Sequence, residues 1–396
     1  MNKESSDLEL YIHIPFCVKK CSYCDFLSFP AGAELQEAYT EQLIREISAS
    51  SVYGDGLKVS SVFLGGGTPS LLEPRLITGI MSAVRHSFCV SEDAEITIEC
   101  NPGSTLRHKF AVYKKAGINR LSIGLQSAEN TELRMLGRIH SYEEFLKCYQ
   151  GARMEGFDNI NVDLINCIPM QTMKTWRKTL RQVTMLRPEH LSVYNLIVEE
   201  GTPYYEMQQK GLLMLPDEDE QEEIDTFTRE FLSKNGYERY EISNYAREGK
   251  LCRHNVGYWT EVPYLGFGIG AASYYDGTRW SNTRDINSYL EAELAAPEGL
   301  SGIRAESRRL TEADKMEEFM FLGLRMVNGV SETEFLQRFG RTMDNVYGSV
   351  LDKYVENGLI IREGYRYRLS ERGMDISNTV LSDFLLDDQE GTSDGK

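Results

Sequence analysis

A strand–helix alternation repeats six times between residues 9 and 196, and it leaves few folds open. ELYIHI, VSSVFL, EITIEC, NRLSIGL, NINVDLI and HLSVYNL are short runs rich in β-branched and aromatic residues. Between them lie LQEAYTEQLIREISAS, PRLITGIMSAVRHSF, TLRHKFAVYKKAG, YEEFLKCYQGARMEG and MKTWRKTLRQVTML, each with apolar residues at helical spacing. Strands joined through amphipathic helices by short connections run parallel, with the helices covering the sheet. Six units, against the eight of a closed barrel, predict an α/β fold built as a partial (β/α)6 barrel over residues 1–200.

Beyond residue 200 the pattern loosens. Residues 201–306 read as an extension of the core. DEDEQEE (217–223) opens a helix with acids at the end where the helix dipole favours them, and YLGFGIGAASYY (264–275) is Gly-rich and aromatic. Residues 307–385 form a different unit, with helical stretches at Glu312–Met326, Ser331–Phe339 and Met343–Asn357. LIIREGYRYRLS then reads as a hairpin turning at Glu363-Gly364. That order predicts a winged-helix-like α+β domain. Between Ser331 and Ser370 acids and bases balance at six each, and the whole chain carries a net charge of −17. The chain's acidic excess repels phosphate backbones, so no nucleic-acid partner is expected, and the domain's own charge balance makes a protein contact the better reading for it. The tail, 386–396, is acidic and expected to be disordered.

No run approaches the roughly 20 apolar residues of a membrane helix, and MNKESSDLELY lacks the apolar core of a secretory signal. A cytoplasmic location is expected, with a peripheral membrane contact left open. Of eight cysteines, Cys17, Cys21 and Cys24 fall within eight residues. In a reducing compartment such a group binds metal rather than forming disulfides. The scattered others suit buried, small apolar positions.

The close group reads C-x3-C-x2-C directly after the first strand. Iron–sulfur clusters usually take four thiolates, so three leave one iron open to a ligand. Zinc is the competing reading, but it wants a fourth ligand at tight spacing, and the nearest, His13, sits in the strand before the loop. The segment Tyr11-Ile12-His13-Ile14-Pro15-Phe16-Cys17, the cysteine spacing and the aromatic Tyr23 before Cys24 resemble the radical S-adenosylmethionine family. The nearest resemblance is to oxygen-independent coproporphyrinogen oxidases and the related heme chaperones of the HemW type.

That resemblance implies a radical SAM barrel. A [4Fe–4S] cluster would sit on Cys17, Cys21 and Cys24, with S-adenosylmethionine at the open iron. The barrel's working face lies at the C-terminal strand ends. After the second strand comes Gly65-Gly66-Gly67-Thr68-Pro69, where glycines let backbone approach a ligand, with N–H groups expected to be free for it. Gly66, Gly67 and Thr68 carry over from the family as contacts to the methionine moiety. Glu99, Gln126, Arg138 and Asp163 carry over as the cofactor pocket, joined by Tyr11 and Tyr23. Ile197 and Ala272 carry over as adenine-side packing, although apolar residues are core by default.

Two features separate the branches. The oxidases carry a fourth cysteine two residues after the third; here Phe26 stands there. The chaperones share an H-N-x-x-Y-W segment, matched by His254-Asn255-Val256-Gly257-Tyr258-Trp259. By resemblance His254 ligates heme iron, Tyr258 and Trp259 supply apolar surface for the porphyrin, and Cys252 offers a second soft ligand. The expected function is a heme chaperone that delivers heme to acceptor proteins, membrane-associated ones included, with room for a homodimer. The alternative is an oxidase that decarboxylates coproporphyrinogen III.

Overall fold

The computed structural model describes residues 7–104 and 107–386. Six strands, β1 (Asp7–Ile14), β2 (Lys58–Gly66), β3 (Val90–Cys100), β4 (Arg120–Gln126), β5 (Ile160–Asn166) and β6 (His190–Asn195), pair in sequence order. Every pairing in that run is parallel. Helices connect them: Ala33–Ala49, Pro74–Ser87, Arg107–Lys115, Tyr142–Met154 and Met173–Leu186. The expected (β/α)6 alternation is therefore present. The start of the third expected helix, 105–106, lies outside the described residues.

The extension adds strands to both edges of the same sheet. On one side are β7 (Glu238–Arg239) and β8 (Asn244–Ala246), with β8 antiparallel to β6. On the other are β9 (Tyr264–Phe267), β10 (Ala272–Tyr275), β11 (Thr278–Asn282) and β12 (Arg304–Arg309). β9 runs parallel to β1, so the parallel run numbers seven strands rather than six. The Gly-rich segment supplies β9 and β10. Gly268, at φ +93°, turns the chain between them where a side chain would strike the His13 carbonyl and the Tyr39 hydroxyl. The sheet does not close on itself: its order begins at β12 and ends at β7.

The C-terminal unit has its own core, including Met320, Phe335, Tyr347, Leu351, Ile360 and Leu369. It contains helices Glu312–Gly323, Glu332–Phe339 and Met343–Glu356 and a three-stranded sheet of Val330–Ser331, Ile360–Glu363 and Arg366–Leu369. The hairpin turns on Gly364, φ +61°, and Tyr365, one residue beyond the expected pair. Arg338 pairs with Glu261 and Arg279 with Glu318, tying this unit to the sheet. From residue 387 the expected acidic tail lies outside the described residues.

Candidate functional site: a polar barrel lumen between a cysteine loop and a histidine helix

Alternation along the parallel strands divides them into two faces. Leu8, Leu10, Ile12, Ile14, Val62, Leu64, Ile96, Ile98, Leu121, Ile123, Val162, Leu164 and Leu191 are buried in the apolar core under the helices. The intervening residues are mostly polar and line one cavity of about 250 Å³. Among them are Tyr11, Phe63, Glu99, Arg120, Ser122, Asn161, Asp163, Ser192 and Tyr194. An ordinary closed barrel fills its lumen with packed branched side chains. Here the lumen is a site.

The cysteine loop follows β1 at the C-terminal end of the strands. Cys17 N–H donates to Phe29 C=O (3.1 Å) and Phe29 N–H to Pro15 C=O (2.9 Å), closing the loop at its base. Cys17 Sγ lies 3.4 Å from Thr68 Oγ1, and Arg138 Nη1 lies 3.8 Å from Cys21 Sγ. Gly67 has no room for a side chain: a Cβ would stand 2.8 Å from Phe16 O and 3.1 Å from Cys17 Sγ. Gly137 does the same against Ser22. Tyr23 packs with Leu136, Ile165, Ile168 and Tyr204 beneath the loop. All three thiols are free and half-buried, but among the described residues no three His, Cys, Asp or Glu side chains are drawn into a metal-binding group. What fits an iron–sulfur cluster is the donor set: three thiols on one glycine-cradled loop, with an arginine and a threonine hydroxyl beside the sulfurs.

The glycine segment corrects one expectation. The Gly66 N–H donates to Glu99 Oε2 (3.0 Å) and the Gly67 N–H to Ile14 C=O (2.8 Å), so neither is free for a ligand. Gly66, at φ +112°, matters through what it lacks, since a Cβ there would press on the His13 ring at 2.6 Å. Burial pushes the Glu99 carboxyl up to about 8, with the Asp163 carboxylate adding to the shift and the Gly66 N–H opposing it. Asp163 is fixed by Ser122 Oγ (3.1 Å) and Asn161 Nδ2 (2.7 Å). Arg138 donates to Gly124 C=O at 2.7 Å, and a Cβ on Gly124 would crowd both Arg138 and Gln126 Nε2. Gln126 takes a left-handed φ of +74° at the strand end, a strained geometry for a side-chain-bearing residue.

The opposite end of the lumen is closed by the helix Arg253–Trp259, which carries the H-N-x-x-Y-W segment. Strand register sets Glu9 opposite Ser61 and Ser61 opposite Glu95, and these three receive the helix. His254 is 2% exposed. Its Nδ1 meets Ser61 Oγ at 2.8 Å and its Nε2 meets Tyr258 OH at 3.1 Å. Burial, with Arg120 nearby, holds the imidazole down at about 3, while burial raises Glu9 to about 9. Both groups are thus neutral near pH 7, and their 3.7 Å approach is no ion pair. Gly257 lets the helix seat, because a Cβ there would overlap the Glu9 carboxyl.

Three expectations about this segment change. His254 is not an open ligand, since both its ring nitrogens are hydrogen-bonded inside the fold. Tyr258 lines the lumen, but Trp259 faces a separate cleft of about 340 Å³ with Phe321, Leu322, Arg325, Leu381 and Leu385, so the two rings do not form one wall. Cys252 is fully buried, its thiol pushed up by burial and donating to Glu95 Oε1 at 3.5 Å, which leaves no ready thiolate. Ile197 and Ala272 are exposed and do not line the lumen cavity. Sequence reasoning missed Glu9, Ser61, Phe63, Arg120 and Asn161, and weighed His13 only as a zinc ligand. Their signal was polar or aromatic residues at every second position of strands otherwise buried on both faces.

A match to the Radical SAM superfamily spans residues 11–183, and one to the HemN C-terminal domain spans 310–376. The chain is 35% identical over 376 residues to the heme chaperone HemW of Bacillus subtilis, covering 95% of this chain and 98% of that one. It is 34% identical over 387 residues to the heme chaperone HemW of Escherichia coli, covering 96% and 98%. It is 34% identical over 396 residues to the mitochondrial radical S-adenosyl methionine domain-containing protein 1 of Mus musculus, covering 98% and 89%. Among solved structures, coproporphyrinogen III oxidase of Escherichia coli, a radical SAM enzyme, matches with a TM-score of 0.82 at 23% identity, over 97% of this chain and 91% of that one. That likeness is one of fold.

Proposed function

Because the chain belongs to the radical SAM superfamily and, within it, to the HemW-type heme chaperones, we propose that it binds heme and passes it to acceptor proteins. It does so as a cytoplasmic protein, membrane-associated acceptors included, while holding a [4Fe–4S] cluster and S-adenosylmethionine. Cys17, Cys21 and Cys24 are the cluster ligands in this reading. When bound, such a cluster offers an open iron to the methionine amine and carboxylate and a source of one electron.

The chain's own residues prepare that end of the lumen. Gly66 and Gly67 keep side chains out of it. Thr68 and Arg138 set hydrogen-bond donors beside Cys17 and Cys21. Asp163 is held as a fixed acceptor by Ser122 and Asn161. Glu99, protonated near neutrality, releases its proton when a cation arrives beside it. At the far end His254 would be the heme-iron ligand of this reading, through Nε2 were that nitrogen released from the Tyr258 hydroxyl.

The observation that carries delivery over oxidation is Phe26. It is 65% exposed, lines the lumen beside the cysteine loop and stands where the oxidases have a further cysteine. The test is anaerobic incubation of the cluster-loaded protein with heme and, separately, with coproporphyrinogen III, S-adenosylmethionine and a reductant. A Soret shift with the first and no protoporphyrinogen IX from the second is expected. Steady turnover to product would replace the chaperone reading with the oxidase.

A further inference from the structure

The parts assigned to the two ligands belong to one cavity. Gly66, Glu99 and Asp163, on the S-adenosylmethionine side, and His254, Asn255 and Tyr258, on the heme side, line the same 250 Å³ lumen. His13 in the top row and Glu9 in the bottom row are four residues apart on β1, about 13 Å of strand. The lumen's 250 Å³ is below the roughly 300 Å³ at which ordinary small-molecule pockets begin, so the lumen as it stands leaves no room for two organic ligands side by side.

Contact between the ends is continuous. His13 Nε2 bonds to the Leu27 carbonyl of the cysteine loop (2.9 Å), and its Nδ1 bonds to Tyr11 OH (3.0 Å). The Tyr11 ring stacks near Phe63, with centroids 6.4 Å apart. Phe63 in turn stacks on His254 at 5.2 Å, and His254 meets Tyr258 edge-on at 4.7 Å. The imidazole is therefore the floor against which anything filling the lumen rests.

An iron atom reaches the 2%-exposed His254 by one of two routes. Either the macrocycle enters the lumen, or the helix Arg253–Trp259 swings off Glu9, Ser61 and Glu95. The first route occupies the S-adenosylmethionine volume. The second removes its floor, withdrawing Asn255 and Tyr258 and breaking the buried bond between Ser61 Oγ and His254 Nδ1. Both routes have the same sign.

We propose that heme ligated by His254 and S-adenosylmethionine seated in the lumen exclude each other, so that S-adenosylmethionine gates heme loading and release. This rests on the heme reading given above. Linkage makes the effect reciprocal: each ligand weakens the other by the same factor.

The test is a heme titration of the cluster-loaded protein, followed at the Soret band, at rising S-adenosylmethionine. Under exclusion the apparent heme Kd grows in proportion to ligand, reaching about 100-fold at 100 times the S-adenosylmethionine Kd. Free methionine lacks the adenosyl group that fills the lumen, and it should leave the heme Kd within about twofold. Tyr258→Phe frees Nε2 and should tighten heme roughly threefold or more, one neutral hydrogen bond's worth. A heme Kd indifferent to S-adenosylmethionine, or one that methionine alone shifts as much, overturns the proposal while leaving heme binding intact. His254→Asn, which keeps a polar group toward Ser61, separates the two failures. If it binds heme as the unaltered protein does, with the same spectrum, His254 is not the ligand and the heme assignment falls together with the gate.

Discussion

Gly67→Ala tests the claim that the cysteine loop is shaped by a glycine rather than by the cysteines themselves. The added methyl would lie 2.8 Å from Phe16 O, 3.0 Å from Phe16 N and 3.1 Å from Cys17 Sγ. Two of those three atoms are backbone, and the Phe16 side chain is fully buried against Phe29 and Tyr39. The neighbours cannot rotate away, so the loop must shift by several tenths of an ångström. Overpacking of this kind costs about 1–3 kcal/mol. At roughly 2–4 °C per kcal/mol for a unit of this size, the barrel's unfolding midpoint should fall by about 2–12 °C. Metal–ligand distances tolerate only about 0.2 Å, so iron bound after anaerobic reconstitution should drop as well. Gly348→Ala is the counter-experiment. It sits inside the helix Met343–Glu356 with only Asp344 Cβ, at 4.0 Å, near the new methyl. There the same change should stabilise by about 0.5–1 kcal/mol and leave iron untouched. Calorimetry and iron assay on both variants decide the matter. A Gly67→Ala protein with full iron and an unchanged midpoint would refute the cradle.

Replacing Cys17, Cys21 and Cys24 together by alanine should abolish the iron and sulfide content, about four of each per chain in the unaltered protein, together with the visible charge-transfer band; full iron in the triple variant would contradict the ligand assignment. Glu99→Gln addresses pH. The folded carboxyl holds its proton up to about 8, so the native state binds more protons than the unfolded chain, and this group's contribution is intact at low pH and lost as pH rises toward 8. The variant should therefore gain stability relative to the unaltered protein as pH climbs from the ordinary carboxylate range to about 8, then run parallel to it. A difference that is flat with pH, by thermal denaturation without S-adenosylmethionine, would mean that Glu99 is ionised in the fold.

The architecture was legible because parallel strands in a helix-covered sheet must be apolar on the face beneath the helices, and six such runs with helices between them admit few arrangements. The seventh parallel strand was hidden. Tyr264–Phe267 is four residues long, interrupted by Gly266, and pairs with β1 across some 250 residues of chain. No local pattern announces such a partner. Gly266 is there because a Cβ would collide with the Ala272 carbonyl of the neighbouring strand, a demand of tertiary packing alone.

The site divides along the same line. Residues in the loops that follow a strand end, such as the three cysteines and Thr68, could be read from position, since the C-terminal ends of such strands face the site. Residues deeper within strands, such as Glu9, Arg120 and Asn161, were missed: their alternation was visible, but which alternate face turns inward is decided by the sheet's curvature. Glu9 is the clearest example: in sequence it is one acid in a solvated-looking DLELY, yet it is 2% exposed and stands beneath the lumen. The H-N-x-x-Y-W segment misled for the opposite reason. Its letters suggested one apolar wall, but as a helix it points His254 and Tyr258, four residues apart, to one face and Trp259 to another. A histidine that seemed remote from Cys17, Cys21 and Cys24 along the chain thus lines the same cavity as Phe26 of their loop. Any heme bound through it acts on the cluster end by way of the lumen itself, with no longer relay required.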